Sequence, residues 1–253
     1  MWKIIVNRLQ QGFRTLSYPE DVPDFPARFR GRPVVTPPEI LPVDKTKDPL
    51  GVLSPGKPPA VDMGKCLFNE DLAAAGMLTY SRDHRMAVSK KEDLLLRGDG
   101  VRLAAALHEK TRRIFGRSLK LREVCAGSCN GCDAEIQAAG NIVFDLSRFG
   151  IQFVASPRHA DGLMITGPVT KNMELALRKT YEAVPHPKIV IAVGACAISG
   201  GPFQGGREVR DGVDGLIPVD LYVPGCPPHP LTILDGLLRL LGRLEKETDC
   251  RIQ

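Results

Sequence analysis

Four cysteines in the second half of the chain stand in local sequences suited to holding an iron–sulfur cluster. Cys129 and Cys132 form a Cys-x-x-Cys pair in a short loop. Cys196 follows the apolar run 189–193, and Cys226 lies between a glycine and two prolines. Thiolates bind the irons of such clusters, and a proline after a ligating cysteine stiffens the loop and removes a competing N–H donor. The pattern therefore predicts one iron–sulfur site.

Three other uses of these cysteines compete with a cluster. A structural zinc site also takes four cysteines, but usually as two close pairs, and this chain has one close pair. Disulfides suit small secreted domains, whereas this chain is long and shows no secretory signal. Inert buried thiols are the third alternative. That role fits Cys66, Cys125 and Cys250 better than cysteines flanked by glycine and proline.

Length and composition set the broad class of the protein. The 253 residues suit one large or two small domains, and 43% hydrophobic residues can bury a core. The net charge of +5 is too small to indicate nucleic-acid binding. No apolar run approaches the roughly 20 residues that span a bilayer. Seven cysteines without a secretory signal favour a reducing, cytoplasmic compartment.

Proline usage divides the chain into two parts. Eleven of the 21 prolines fall within the first 60 residues, so residues 17–60 are predicted to be extended and poor in regular structure. Apolar runs alternate with amphipathic stretches from about residue 99 onward. We predict an irregular α+β segment over residues 1–98, a linking region over 99–117 with a helix over Val101–Phe115, and an α/β domain over 118–253.

The second part has the pattern of a parallel sheet covered by helices on both faces. The predicted strands are Leu119–Val124, Ile151–Ala155, Leu163–Thr166, Lys188–Val193 and Val219–Val223. The predicted helices are Asp133–Arg148, Thr170–Val184 and Leu231–Lys246. Ligands gather at the carboxyl ends of parallel strands. The four cysteines all follow predicted strands, so three loops at one edge of the sheet are expected to meet at one cluster.

Six motifs in a fixed order resemble one protein family. They cover about residues 120–247 and are Cys129–Ile136, Arg148–Ile151, Ser156–Asp161, Thr166–Thr170, Gly194–Gly201 and Val223–Pro228. Together they resemble the small subunit of membrane-associated, formate-hydrogenlyase-type nickel–iron hydrogenases, a family related to the B subunit of respiratory complex I (NADH-quinone oxidoreductase). The resemblance implies a flavodoxin-like domain with one proximal 4Fe–4S cluster, bound by Cys129, Cys132, Cys196 and Cys226.

Details around the cysteine pair refine this resemblance. The complex I relative has two adjacent cysteines where the hydrogenases have Cys-x-x-Cys, so the pair favours the hydrogenase side. Cys125 is interpreted as a neighbour that does not bind the cluster.

Two acids follow the cysteine pair. Asp133 and Glu135 either tune the reduction potential of the cluster or are solvated acids in the first turn of a helix, where acids are favoured. The run Ser199–Gly201 is expected to give the Cys196 loop its turn.

The first 95 residues resemble the ferredoxin-like subunit that accompanies the same hydrogenases. The matching pieces are Ser17–Pro19, Phe29–Pro33, Gly64–Phe68 and Ala87–Asp93. That subunit holds two 4Fe–4S clusters through eight cysteines, whereas this segment has only Cys66. One thiolate cannot hold a cluster. The resemblance therefore implies a fused, cluster-less remnant that serves as a docking element or scaffold.

An amphipathic helix is predicted at the start of the chain, over Met1–Phe13. Trp2, Ile5 and Leu9 lie near one face at helical spacing, and Lys3 and Arg8 lie elsewhere. Such a helix either lies on a membrane subunit or lipid surface, or packs against its own domain.

These observations predict an electron-transfer subunit. No nucleophile–base pair or second metal site is evident, so the chain is not expected to be catalytic alone. The resemblance implies a catalytic large subunit, ferredoxin-like and membrane subunits as partners, and a cytoplasmic location at the inner face of the cell membrane through the complex. The alternatives are a complex I-like, quinone-reducing module and a non-redox scaffold or zinc-binding assembly protein.

Overall fold

The computed structural model describes residues 2–12, 14–21, 23–35, 46–57, 59–97, 100–244 and 249–250. Met1, Phe13 and Lys246, which belong to predicted helices, lie outside these ranges, and so does the side chain of Cys250. No helix within these ranges is long and apolar enough to cross a bilayer.

The longest strand and the longest helix that the structure describes both follow residue 118. The helices are α1 (Trp2–Gln11), α2 (Asp71–Ala74), α3 (Glu109–Phe115), α4 (Gly131–Ala139), α5 (Lys171–Ala183), α6 (Gly194–Ser199) and α7 (Pro230–Leu240). The strands are β1 (Pro33–Val35), β2 (Leu53–Ser54), β3 (Ala60–Asp62), β4 (Leu78–Tyr80), β5 (Leu95–Arg97), β6 (Val101–Arg102), β7 (Leu119–Cys125), β8 (Ile151–Phe153), β9 (Gly162–Thr166), β10 (Ile189–Val193), β11 (Leu221–Val223) and β12 (Asp249–Cys250).

Five strands form one parallel sheet in the order β8–β7–β9–β10–β11. Numbered along the chain within the sheet, this is the 2-1-3-4-5 order of flavodoxin-like folds. Strands β9 and β10 are buried along their whole length, as expected for the middle of a sheet that is covered on both faces. The predicted flavodoxin-like domain is therefore confirmed.

The sheet separates two hydrophobic cores. Because side chains alternate along a strand, Ile189 and Ile191 of β10 pack with α4 and α7, whereas Val190 faces the opposite core. That opposite core also contains residues between Val52 and Leu103. The proline-rich part of the chain therefore shares a core with the parallel sheet. Among the described residues of 17–57, β1 and β2 are the regular elements, which confirms the predicted lack of regular structure.

Two predicted helices end several residues earlier in the structure. Helix α4 was predicted to reach Arg148 but ends at Ala139, because Gly140 follows and the Asn141 side chain accepts hydrogen bonds from the next backbone N–H groups. A separate 3₁₀ turn then covers Leu146–Phe149. Helix α7 was predicted to reach residue 246 but ends at Leu240, two residues before Gly242 with its φ of +66°.

The predicted helix over Val101–Phe115 is wrong in its first half. Only α3, from Glu109, is helical there. The Ala104 N–H donates to the Ala87 carbonyl at 2.8 Å, and the Ala105 N–H donates to Ser89 Oγ at 2.9 Å. These tertiary hydrogen bonds hold the backbone extended, which a local apolar pattern does not reveal.

The early segment is also bonded to the sheet edge and to α6. Val88 and Tyr222 exchange two backbone hydrogen bonds of 3.0 and 2.9 Å, which adds an antiparallel bridge beside β11. Ser199 Oγ, at the end of α6, donates to the Gly64 carbonyl at 2.8 Å. The early segment is therefore hydrogen-bonded to the helix that carries Cys196.

Candidate iron–sulfur site

The four predicted ligands lie at the carboxyl ends of three parallel strands. Cys129 and Cys132 follow β7, with Cys132 in the first turn of α4. Cys196 lies in α6, which begins where β10 ends, and Cys226 lies in the loop between β11 and α7. The carboxyl ends of parallel strands meet at one edge of the sheet, so the fold brings these loops to the same side.

Gly194 is the point at which the three loops meet. A Cβ at this residue would lie 2.5 Å from Cys132 Sγ and 3.5 Å from the Gly225 carbonyl oxygen. The next residue, Ala195, donates its N–H to that carbonyl at 2.8 Å. The α6 loop thus touches the Cys132 loop and is bonded to the Cys226 loop.

Two further glycines lie against the sulfur atoms. A Cβ at Gly201 would lie 2.9 Å from Cys196 Sγ. A Cβ at Gly131 would lie 3.6 Å from Cys129 Sγ and 3.7 Å from Pro227 Cγ. Glycine leaves room for a prosthetic group at such close approaches. Gly200 and Gly201 both have positive φ values, 84° and 53°, which agrees with their predicted role as the turn of this loop.

Three of the four thiols have raised pKa values, to which neighbouring thiols contribute. Burial raises the pKa of Cys132, and the neighbouring thiols of Cys196, Cys226 and Cys129 raise it further. Burial, followed by Cys226 and Cys129, raises the pKa of Cys196 to about 11. Each of these two thiols therefore favours its protonated form in the absence of a metal, and binding iron to their sulfurs releases protons.

The donor set fits an iron–sulfur group, because cysteine thiols are the ligands that such groups use and glycines leave room beside two of the sulfur atoms. Within the described ranges, no three His, Cys, Asp or Glu side chains converge closely enough to hold one metal ion. Cys129 and Cys226 are exposed, while Cys132 and Cys196 are buried. A bound cluster would thus have one side inside the protein and one side at its surface.

Replacing Gly194 with alanine tests whether a glycine is needed next to the sulfur atom of Cys132. The added methyl group would overlap Cys132 Sγ at 2.5 Å, and the φ of +89° at this residue disfavours any L side chain. We expect Gly194→Ala to reduce the iron bound per chain by at least about tenfold, because Cys132 must move away from the other thiols. Iron and acid-labile sulfide, measured after anaerobic purification, give the readout.

Gly215→Ala is the matched control for this substitution. Gly215 has a similar φ of +78°, but a Cβ there would meet no atom within 4 Å. In both variants, placing alanine at a positive φ costs about 1–2 kcal/mol. Only in Gly194→Ala does the added methyl group contact a sulfur atom. Equal loss of iron in both variants would contradict the role assigned to Gly194.

A buried acid and a half-buried acid lie beside the Cys132 loop. Asp133 is 6% exposed and accepts hydrogen bonds from Ser128 Oγ and from Thr166 Oγ1, the latter at 2.7 Å. Burial raises the pKa of Asp133, but these hydrogen bonds outweigh it and hold that pKa below its usual range. The alternative of a solvated acid is therefore wrong for Asp133.

The second acid of this pair, Glu123 on β7, was missed by the sequence analysis. Burial, then the hydrogen bond and the negative charge of Asp133, raise the pKa of Glu123 to about 7. Glu123 therefore keeps its proton to a higher pH than an ordinary glutamate does. An acid inside a predicted buried strand was the available signal, because an acid that is half-buried needs a partner.

Two other cysteines, Cys125 and Cys66, have described side chains. Cys125 is exposed, with its Sγ 3.2 Å from Ser128 Oγ. Cys66 is 1% exposed, accepts from the Phe68 N–H at 3.4 Å and has its Sγ 3.7 Å from the Tyr80 hydroxyl. Both cysteines remain predicted non-ligands.

A cavity of about 290 Å³ opens beside Cys226, between residues 28–30 and the start of α7. Its walls include Phe29, Phe68 and Glu135. Burial, then the neighbouring His84, lowers the pKa of His229 at this wall to about 4. His229 is therefore neutral at physiological pH, and its Nδ1 accepts a hydrogen bond from the Leu231 N–H at 3.2 Å.

Comparison with known proteins identifies the family. The model of the NADH ubiquinone oxidoreductase 20 kDa subunit family matches residues 129–240, the stretch that contains all four cysteines. A probable membrane-bound hydrogenase subunit of Pyrococcus furiosus is 48% identical over 134 residues, which are 53% of this chain and 80% of the relative. The chain belongs to the 20 kDa subunit family of NADH ubiquinone oxidoreductase. The resemblance predicted from the six motifs is thereby confirmed.

Two further relatives are named as subunits of different complexes. Formate hydrogenlyase subunit 7 of Escherichia coli is 46% identical over 135 residues, and the match covers 53% of each chain. The NADH-quinone oxidoreductase B subunit of Desulfovibrio desulfuricans is 48% identical over 116 residues, 46% of this chain and 63% of the relative. The chain thus spans between about half and two thirds of the length of these two relatives.

Proposed function

We propose that this chain is an electron-transfer subunit that holds one 4Fe–4S cluster beside the catalytic large subunit of a multisubunit nickel–iron hydrogenase. The observation that carries the proposal is the meeting of the three cysteine loops at Gly194, where Cys132 Sγ and the Gly225 carbonyl both lie against α6. The names of two relatives, a membrane-bound hydrogenase subunit and a formate hydrogenlyase subunit, support the choice of complex.

The ligands are Cys129, Cys132, Cys196 and Cys226. When bound, such a cluster takes up and gives back one electron at a time. The buried Cys132 and Cys196 anchor the inner side, and the exposed Cys129 and Cys226 leave the outer side open to a partner protein. Burial and hydrogen bonds around the sulfurs tune the reduction potential of a cluster. Asp133, beside Cys132, contributes a buried negative charge that lowers this potential.

The early segment supports the cluster loops instead of carrying clusters of its own. Cys66 is its single cysteine, and the Gly64 carbonyl accepts a hydrogen bond from Ser199 of α6. Electrons therefore leave through another subunit or carrier. Electron paramagnetic resonance of the isolated, reduced chain is expected to give the signal of one cluster, and signals from three separate clusters would contradict this proposal.

A quinone-reducing module of the complex I type is the second candidate. It is favoured by the 48% identity to an NADH-quinone oxidoreductase relative, which equals the identity to the hydrogenase relative. In either complex the chain is peripheral at the inner face of the cell membrane.

The metal content of the native complex distinguishes the two candidates. The complex is purified anaerobically through a tag on this chain, and iron, sulfide and nickel are measured per copy. About four irons and four sulfides on this subunit, with stoichiometric nickel in a partner, are expected. Iron and sulfide without nickel would overturn the hydrogenase assignment in favour of the quinone-reducing module. A chain that contains zinc or no metal would overturn both candidates.

A further inference from the structure

Helix α1 leaves an apolar face uncovered. Trp2, Ile5, Val6 and Leu9 share one face at spacings of three and four residues. No residue of α1 is buried, and Trp2, Ile5 and Leu9 are 76%, 48% and 79% exposed. The alternative in which this helix packs against its own domain is therefore not what the structure shows. An exposed apolar face of this kind indicates a surface that contacts a membrane or another protein.

The charged residues among the first 19 positions of the chain are all positive. Lys3, Arg8 and Arg14 precede Glu20, the first acidic residue of the chain. Asn7 and the exposed Ile4 lie opposite the apolar face. Lys3, Arg8 and Gln10 flank it. A second copy of the helix would bring like charges together. Anionic lipid headgroups, in contrast, attract basic residues while the acyl boundary takes up the apolar face.

The chain is hydrogen-bonded to the sheet domain shortly after α1. Thr15 Oγ1 donates to the Ile142 carbonyl at 2.7 Å, and the Leu16 N–H donates to the Val143 carbonyl at 2.9 Å. Ile142 is itself 70% exposed beside these hydrogen bonds. The exposed residues of α1 are therefore close in the chain to a point that is attached to the domain surface.

We propose that α1 is an interfacial helix that binds directly to the surface of an anionic membrane. Trp2 lies at one end of the apolar face, and tryptophan is enriched at the boundary between headgroups and acyl chains. The contact is additional to any attachment through other subunits, and it does not depend on the cluster.

The chain contains its own reporter, because Trp2 is its single tryptophan. Vesicles made of equal parts phosphatidylcholine and phosphatidylglycerol are added to the full chain with its cluster bound. We expect the emission maximum of Trp2 to shift to shorter wavelength, and vesicles of phosphatidylcholine alone to give a smaller shift. Substitution Lys3→Gln is expected to weaken partitioning into the anionic vesicles roughly fivefold.

Two double variants, neither of which changes the net charge, test the apolar face separately from the polar residues. Ile5→Ser with Leu9→Ser is expected to weaken vesicle binding by at least about tenfold, measured by flotation. Asn7→Ser with Gln10→Ser changes the polar face by the same kind of substitution and is expected to leave binding within about twofold of the parent. Visible absorption of the cluster checks that all variants are folded.

Three results would overturn the proposal. The first is tryptophan emission that stays at the water-exposed wavelength with anionic vesicles. The second is equal loss of binding in the two double variants. The third is reduced solvent access of α1 in the lipid-free complex, measured by hydrogen exchange, which would indicate that a protein subunit covers the helix. None of these results bears on the iron and nickel content, so failure here is distinct from failure of the proposed function.

Discussion

Replacing Cys196 with serine is expected to abolish the binding of iron and acid-labile sulfide. Cys196 is 9% exposed in α6, which contacts both other cysteine loops through Gly194 and Ala195. Serine keeps the size of the side chain but supplies a hard, weakly acidic hydroxyl in place of a thiolate, which iron–sulfur clusters require. The readouts are iron and sulfide per chain and the visible absorption of the anaerobically purified protein.

Cys125→Ser is the matched control for this loss. Cys125 lies in the same region of the sheet edge but is exposed, and its Sγ contacts Ser128 Oγ at 3.2 Å. This variant is expected to keep its full iron content. Cys66→Ala is also expected to keep it, although the buried thiol next to Tyr80 contributes to stability. Equal iron loss from Cys125→Ser and Cys196→Ser would refute the ligand set.

The second large effect is expected at Asp235, which joins the two predicted parts of the chain. Asp235 is fully buried and accepts hydrogen bonds from the Tyr18 hydroxyl and from Arg239 Nε, both at 2.8 Å. Asp235→Asn leaves the 7% exposed Arg239 without a compensating charge. Removing one partner of a buried ion pair costs about 3–5 kcal/mol. We expect the free energy of unfolding, measured by urea titration of the cluster-bearing chain, to fall by that amount.

The control for Asp235→Asn is the exposed ion pair of α3. Glu109 and Arg113 have the same spacing of four residues as Asp235 and Arg239, but their side chains are 62% and 78% exposed. Glu109→Gln is expected to change the free energy of unfolding by less than about 0.5 kcal/mol, because water screens an exposed pair. A comparable loss of free energy of unfolding in both variants would contradict the larger stabilising role assigned to the buried ion pair.

The positions of the central strands could be predicted because their residues are mostly apolar and are buried along the whole strand. Runs such as 189–193 are apolar at every position, which is the pattern of a parallel strand covered on both faces. The cysteine candidates could be found because glycine and proline flank them. The helix ends were less predictable, since Gly140 and Asn141 stop α4 through local hydrogen bonds that an apolar period does not register.

The role of the first hundred residues could not be read from their sequence. Proline content correctly indicated an irregular segment, but nothing local indicated that Val88 would pair with Tyr222 or that Gly64 would bond to Ser199. The extended backbone at 103–107, predicted as helix, depends on the same kind of distant partner. Long-range hydrogen bonds of this kind override local propensity.

The sequence by itself determined the fold class, the family and the four thiol candidates, because strand burial, helix period and cysteine loops are local patterns of residue type. Tertiary structure alone decided that three loops meet at Gly194, that Glu123 pairs with Asp133, and that α1 has an uncovered apolar face. These features join residues that are distant in the chain, and their energies depend on distances and burial that exist only once the sheet has formed.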